Sequence, residues 1–226
     1  NPIFKNEVLS VGNEKVGYLM YNGFTGTDQF DSALNSVFQN FAANNISDLV
    51  LDLRYNPGGF VRTAIWLCSM ITGQFTGDII TTERWNSEIQ AQFLSQNPEA
   101  LNNRFVDKMI KTNSSGNITF EEDVNSLGLN KVYILTTGSS ASASEFVING
   151  LNPYIDVVQI GTTTVGKYQA SILIYDSPNF SREDVNPNHT YAMLPLVLKE
   201  VNSVGFTDFD EGLPPTITLE EDISHL

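Results

Sequence analysis

The sequence predicts an α/β fold built around a mainly parallel sheet. Short apolar runs at 49–53 (LVLDL), 132–136 (VYILT) and 157–160 have strand length, and between them lie stretches with helical periodicity. The first two runs also end in turns of small residues that lead into helical segments, the order of strand–loop–helix units.

Residues 8–11, the pair Gly12-Asn13 and residues 16–21 read as a hairpin. A helix starts at Thr27-Asp28, carries Phe30, Leu34, Val37, Phe38 and Phe41 at helical spacing, and stops at Asn44-Asn45. The 49–53 strand ends in the turn Asn56-Pro57-Gly58-Gly59, and residues 60–71 read as a helix closing at Gly73. Residues 74–130 are polar and irregular, rich in Asn, Gln and Ser. They predict an insertion with a few strands and a helix around 89–101. After the 132–136 strand, a small-residue run at 138–144 opens a helix over 143–151. A loop at 161–166 follows the 157–160 strand. Residues 168–175 and 193–201 read as strands, and 212–219 as a last one that Pro214-Pro215 confine to an edge. In parallel sheets ligands bind at the carboxyl ends of strands. The turns at 56–59 and 138–144 hold that position.

Hydrophobic residues make up 41 % of the 226 and charged residues 17 %, enough apolar content for a buried core. Twelve Lys+Arg against 26 Asp+Glu give a net charge of −14, which repels phosphate backbones and argues against nucleic acid as a partner. The single cysteine, Cys68, sits in an apolar run and reads as packing. No apolar stretch approaches the ~18 residues of a membrane span. The acidic runs 121–123 and 208–211 read as solvated loops rather than calcium sites.

Two histidines are present, His189 in a polar turn and His225 near the end of the chain. Neither lies at a strand end or helix start, which argues against a Ser-His-Asp triad and against a histidine metal site. The segment 161–167 matches most of a phosphate-binding loop. However, Tyr168 replaces the magnesium-holding Ser/Thr, and a strand-like run follows where a helix is required. A lysine on a glycine loop, Lys167, and a serine cluster at a helix start remain. Ser142-Ala143-Ser144-Glu145 fits a capping box, so Ser142 reads either as a cap or as a nucleophile. A helix N-terminus favours an oxyanion through its free N–H groups. Serine needs a base. A lysine serves if burial drives it neutral, and bringing one from ~10.4 towards 7 takes roughly 3 to 5 kcal/mol of desolvation or like-charge repulsion; the Gly, Thr and Val around Lys167 are apolar enough to expect it in a dry setting.

Three blocks together resemble the C-terminal-processing, or tail-specific, serine peptidases: residues 48–59 (DLVLDLRYNPGG), 140–145 (SASASE) and 161–167 (GTTTVGK), in that order. The likeness runs from about residue 15 to 218. It implies Ser142 as nucleophile, with Ser140 and Ser144 as the rival positions, and Lys167 as general base 25 residues on. It implies an oxyanion hole from the N–H groups of Ala143 and of Gly58 or Gly59, and Asp52 and Arg54 as supports of the turn. The family often carries a lysine-orienting glutamine four residues after the lysine. Ser171 stands there, so Gln169 becomes the candidate. The resemblance further implies a crotonase/ClpP-like core as one catalytic domain over 1–226, a polypeptide substrate, no cofactor or metal, and a bacterial, extracytoplasmic (periplasmic or surface) location. A substrate-binding PDZ domain usually precedes this core, and none is visible in these residues. Two other functions fit the same fold: a non-catalytic ligand- or peptide-binding module, and an acyl-CoA enzyme that uses the oxyanion hole without the serine.

Overall fold

A computed structural model describes residues 1–222, so His225 lies outside the described residues. The hairpin forms as β1 (Ile3–Val11) and β2 (Glu14–Tyr21), with Val11 opposite Glu14 across the two-residue turn. α1 (Asp28–Ala43) buries Leu34, Val37, Phe38 and Phe41, the i, i+3, i+4, i+7 stripe of its pattern. β3 (Asp48–Asp52) follows, then α2 (Val61–Ile71), which buries Ala64, Leu67, Cys68 and Ile71 on the same spacing. The insertion supplies β4 (Ile79–Trp85), α3 (Ser87–Gln96), β5 (Asn102–Arg104), β6 (Lys108–Thr112) and β7 (Ile118–Asp123). β8 (Lys131–Thr136), α4 (Ala143–Leu151) and β9 (Asp156–Gly161) complete the alternating core. The remainder is β10 (Gln169–Ser171), β11 (Ile174–Tyr175), β12 (Ala192–Met193), β13 (Leu196–Asn202) and β14 (Ile217–Thr218).

The mixed α/β class and the largely parallel sheet are as expected. Six strands run in the order β1-β2-β3-β8-β9-β14. Only β1 is antiparallel to its neighbour. Leu49 and Leu51 of β3 and Val132 and Ile134 of β8 are fully buried against Phe38 and Phe41 of α1, Leu67 of α2 and Val147 of α4. A second sheet, antiparallel and ordered β10-β13-β4-β5, draws two strands from the insertion.

Several boundaries differ from the sequence expectation, each for a local reason. Helix α3 starts at Ser87 because the Asn86 side chain accepts from the N–H groups of Glu88 and Ile89 at 3.1 and 3.0 Å. It stops at Gln96, ahead of Pro98, and residues Pro98–Leu101 form a 3₁₀ turn. The expected strand at 168–175 is two strands in different sheets, broken at the exposed pair Ile172-Leu173. The expected strand at 193–201 divides at Pro195, which has no N–H to give a ladder. Of 212–219 only Ile217–Thr218 pairs, at the sheet edge, after the two prolines. The acidic run 121–123 lies on β7 rather than in a loop. Glu121 pairs with Lys108 at 2.6 Å and Glu122 accepts from Asn35 at 3.1 Å.

Asp52 and Arg54 brace the end of β3. The fully buried Asp52 carboxylate accepts from Arg54 Nη2 at 2.7 Å, from Arg54 Nε at 3.0 Å and from the Tyr18 hydroxyl at 2.7 Å. Burial, then the Asp52 contact, pushes the Tyr18 phenol up to about 12. Replacing Asp52 by Ala is expected to cost about 3 kcal/mol, because it removes the buried acceptor that Arg54 and Tyr18 share and leaves the guanidinium with Glu221 alone. Tyr18→Phe should cost about 1 kcal/mol. Urea denaturation of the two variants checks the ranking.

Candidate active site

Strands β3, β8 and β9 are neighbours and parallel, so the loops that leave their carboxyl ends meet. The first loop carries Gly58 and Gly59, the second Ser142, the third Lys167. All the sequence-predicted catalytic residues therefore lie on one end of the sheet.

The serine run is sorted by its hydrogen bonds. Ser140 Oγ donates to the Leu53 carbonyl at 2.8 Å, and Ser144 Oγ donates to the Asn56 carbonyl at 2.9 Å. Both side chains are fully buried, and both tie the second loop to the first. Ser142 is half-buried and lines the cleft. Its backbone lies at φ 57°, ψ −113°, a conformation that costs a non-glycine residue roughly 1 to 3 kcal/mol and is characteristic of functional turns.

The glycine turn presses against that serine. A Cβ added to Gly58 would lie 2.6 Å from Ser142 Cβ and 2.8 Å from the Ala143 nitrogen, while one added to Gly59 would lie 2.1 Å from the Phe24 carbonyl oxygen. Both glycines have positive φ, 101° and 138°. The two differ as donors. Gly58 N–H is taken by Asn56 Oδ1 at 2.9 Å, whereas the N–H groups of Gly59 and of Ala143, the first residue of α4, have no partner among the described residues.

Glu145 connects the serine to the lysine loop. Its fully buried carboxylate accepts four hydrogen bonds: Ser142 N–H at 2.8 Å and Lys167 N–H at 2.9 Å on Oε2, Thr164 Oγ1 and Gly166 N–H, both at 2.6 Å, on Oε1. The sequence signals only the first of these, through the capping box. The chain returning after β13 closes the outer side: Leu213 N–H donates to Thr164 Oγ1 at 2.8 Å, and a Cβ on Gly166 would strike the Asp210 carbonyl oxygen at 2.2 Å.

The expectation of a dry lysine is corrected. Lys167 is exposed, and its amine makes no hydrogen bond to Ser142 or to any other described residue. Glu145 fixes the backbone of this loop, while the side chain extends beyond it into a cleft of about 670 Å³ that Ser142, Gly59 and Ser171 also line. The walls of that cleft are apolar at Phe24, Phe60, Val61, Trp85 and Leu198. Gln169 and Lys167 both line a smaller recess beside Ser142, and no hydrogen bond joins the two. His189 lies apart from the cleft, beside Asp176 at 3.1 Å. Cys68 is buried in the core, where burial pushes its thiol up.

Two carboxylates missed from the sequence also line the cleft. Glu83 and Glu200 stand opposite each other on β4 and β13. Glu200 is 7 % exposed and accepts from Thr81 Oγ1 at 2.6 Å. Burial pushes its carboxyl up to about 7.

The model of Peptidase family S41 matches residues 15–174. This chain belongs to that family. A carboxy-terminal-processing protease of Bartonella bacilliformis is 27 % identical over 162 residues, 70 % of this chain and 31 % of the relative. A crystal structure of a protein assigned to the S41 proteases, from Bacteroides fragilis, superposes with a TM-score of 0.75 at 29 % identity, covering 98 % of this chain and 51 % of that one. The photosystem II D1 C-terminal processing protease shares the fold at a TM-score of 0.62 and 18 % identity, covering 97 % of this chain and 48 % of its own. The chain thus spans about half the length of these solved relatives and under a third of the curated one.

Removing the Glu145 carboxylate strands four donors, so Glu145→Ala should cost roughly 3 kcal/mol, with Glu145→Gln less severe. Limited proteolysis should nick Glu145→Ala first within residues 162–168. An unchanged melting temperature would contradict this role.

A second expectation concerns pH. The folded Glu200 value of about 7 lies above that of an unfolded glutamate. Stability tied to this group is therefore full below about pH 4 and is lost as pH rises through about 7. Glu200→Gln should flatten the profile, gaining on the order of 3 kcal/mol over wild type between pH 4 and pH 8 in urea titrations.

Proposed function

We propose that this chain is a serine peptidase core that hydrolyses peptide bonds in extended polypeptides, including protein C-terminal segments. The observation that carries the proposal is Ser142. It is the one serine of its run that reaches the cleft, and it sits in a strained turn against the free N–H of Ala143 and the glycine turn.

In the proposed reaction Ser142 Oγ attacks the substrate carbonyl carbon, and its proton passes to the neutral Lys167 amine. The negative oxygen of the tetrahedral intermediate accepts hydrogen bonds from Ala143 and Gly59, since Gly58 N–H is already occupied by Asn56. The C–N bond breaks, and the leaving amine takes the proton from Lys167. Water then attacks the Ser142 ester, giving a proton to Lys167, and the acid is released as Ser142 regains its hydrogen. An exposed amine favours its charged form, so the substrate itself must cover the cleft and exclude water from Lys167. Gln169 orients the amine once it is covered. The free edge of β10, which follows Lys167 directly, offers main-chain groups to an extended substrate.

The family resemblance supports the rest of this reading: a crotonase/ClpP-like arrangement, one catalytic domain with its insertion at 74–130, and an extracytoplasmic site of action. A second reading, a peptide-binding module of the same fold, is favoured by one observation, the unbonded Lys167 amine in an open cleft.

A fluorophosphonate probe separates the two. Phosphonylation of the wild type at Ser142 Oγ, with fluoride leaving, is expected, with none in Ser142→Ala and a rate roughly 10²- to 10⁴-fold lower in Lys167→Met. No labelling of the wild type favours the binding module, and labelling that survives Ser142→Ala overturns Ser142 as the nucleophile.

A further inference from the structure

One buried charged group has no part in that chemistry. Lys111, on β6, has a side chain 9 % exposed. Its ammonium donates to Asp31 Oδ2 and Asp28 Oδ1, both at 2.7 Å, and to the Gly26 carbonyl at 2.9 Å. It also lies 5.5 Å from the centre of the Trp66 ring and 5.1 Å from that of Phe120. An apolar side chain could fill such a place without the desolvation that a buried ion pair entails.

The ammonium does what an apolar group cannot: it bonds directly to the segment before α1 and, through Asp31, holds the first turn of α2, the two segments that flank the glycine turn. The first is the segment before α1. Phe24 bridges to Gly59 there, with Phe24 N–H donating to the Gly58 carbonyl at 3.0 Å and Phe60 N–H donating to the Phe24 carbonyl at 2.8 Å. Two residues on, Gly26 gives its carbonyl to Lys111 and packs against Phe60, whose ring would lie 2.6 Å from an added Cβ. The second is the first turn of α2, which leaves the glycine turn directly. Thr63 Oγ1 donates to Asp31 Oδ1 at 2.9 Å, while the other oxygen of Asp31 accepts from Lys111.

We propose that Lys111 is a positioning residue for the oxyanion turn, holding Gly58 and Gly59 against Ser142 through Gly26 on one side and Asp31–Thr63 on the other. The inference rests on Ser142 being the nucleophile. Oxyanion contacts tighten only as charge develops, so a displaced turn lowers the rate of acylation and leaves ground-state binding intact. A merely structural lysine would change stability and not that balance.

Two variants test this. Lys111→Met combined with Asp31→Asn avoids leaving the Asp31 charge without its cation, and the amide oxygen can still accept from Thr63. Lys111→Arg keeps the charge in a different shape. The readouts are circular dichroism and melting temperature, the rate at which the fluorophosphonate phosphonylates Ser142, and kcat and KM on a fluorogenic peptide. In the folded double variant, phosphonylation and kcat should fall by about 10- to 100-fold with KM within about twofold, and Lys111→Arg should lose less. Wild-type phosphonylation in the folded double variant overturns the proposal. If the double variant does not fold, Lys111→Arg decides: a wild-type phosphonylation rate overturns the proposal and a reduced one supports it. Absence of phosphonylation in the wild type removes the nucleophile reading first, and this inference with it.

Discussion

A carboxylate with no access to water organises this end of the sheet. Burying an ionised group costs several kcal/mol unless donors surround it. Glu145 meets that demand with four, one from the start of its own helix and three from the loop after β9. Helix and loop cannot separate without stranding the charge, so the backbones of Ser142 and Lys167 share a fixed frame. The negative group also sits in the first turn of α4, where the helix dipole favours it. The neighbouring serines extend the frame. Ser140 and Ser144 spend their hydroxyls on carbonyls of the glycine loop, so three loops that leave three strands behave as one body.

Much of this was written in local patterns. Helices α1, α2 and α4 follow from apolar spacing, and β3, β8 and β9 from short apolar runs of strand length. The three motif blocks were legible because each is a contiguous stretch at a strand's end. What was not legible depends on partners far along the chain. Glu145 shows in the sequence as a cap residue, since its bonds to Thr164, Gly166 and Lys167 exist only after β9 has crossed over. Glu200 and Glu83 look like ordinary surface glutamates until the insertion folds back to pair with β13. The strand break at Pro195 was readable in principle from the missing N–H, the signal that did place 212–219 at an edge through Pro214-Pro215.

The dry lysine was a different kind of error. The apolar character of the surrounding residues was real, but Val165 is exposed and Thr164 turns inward to Glu145. Composition of a loop says little about which of its side chains face solvent. The two sheets leave an open cleft between them, and a long side chain starting from a fixed backbone crosses into it. Rigidity here belongs to the main chain and freedom to the side-chain tip.

The segment that returns past Asp210 and Leu213 has a consequence for how the protein comes into being. A ribosome delivers the serine, the carboxylate and the lysine well before the residues that close over Thr164 and Gly166. Until that late stretch has emerged and docked, the lysine loop lacks its outer support. The lysine loop of a growing chain therefore gains its outer wall only once residues 210–213 have been made.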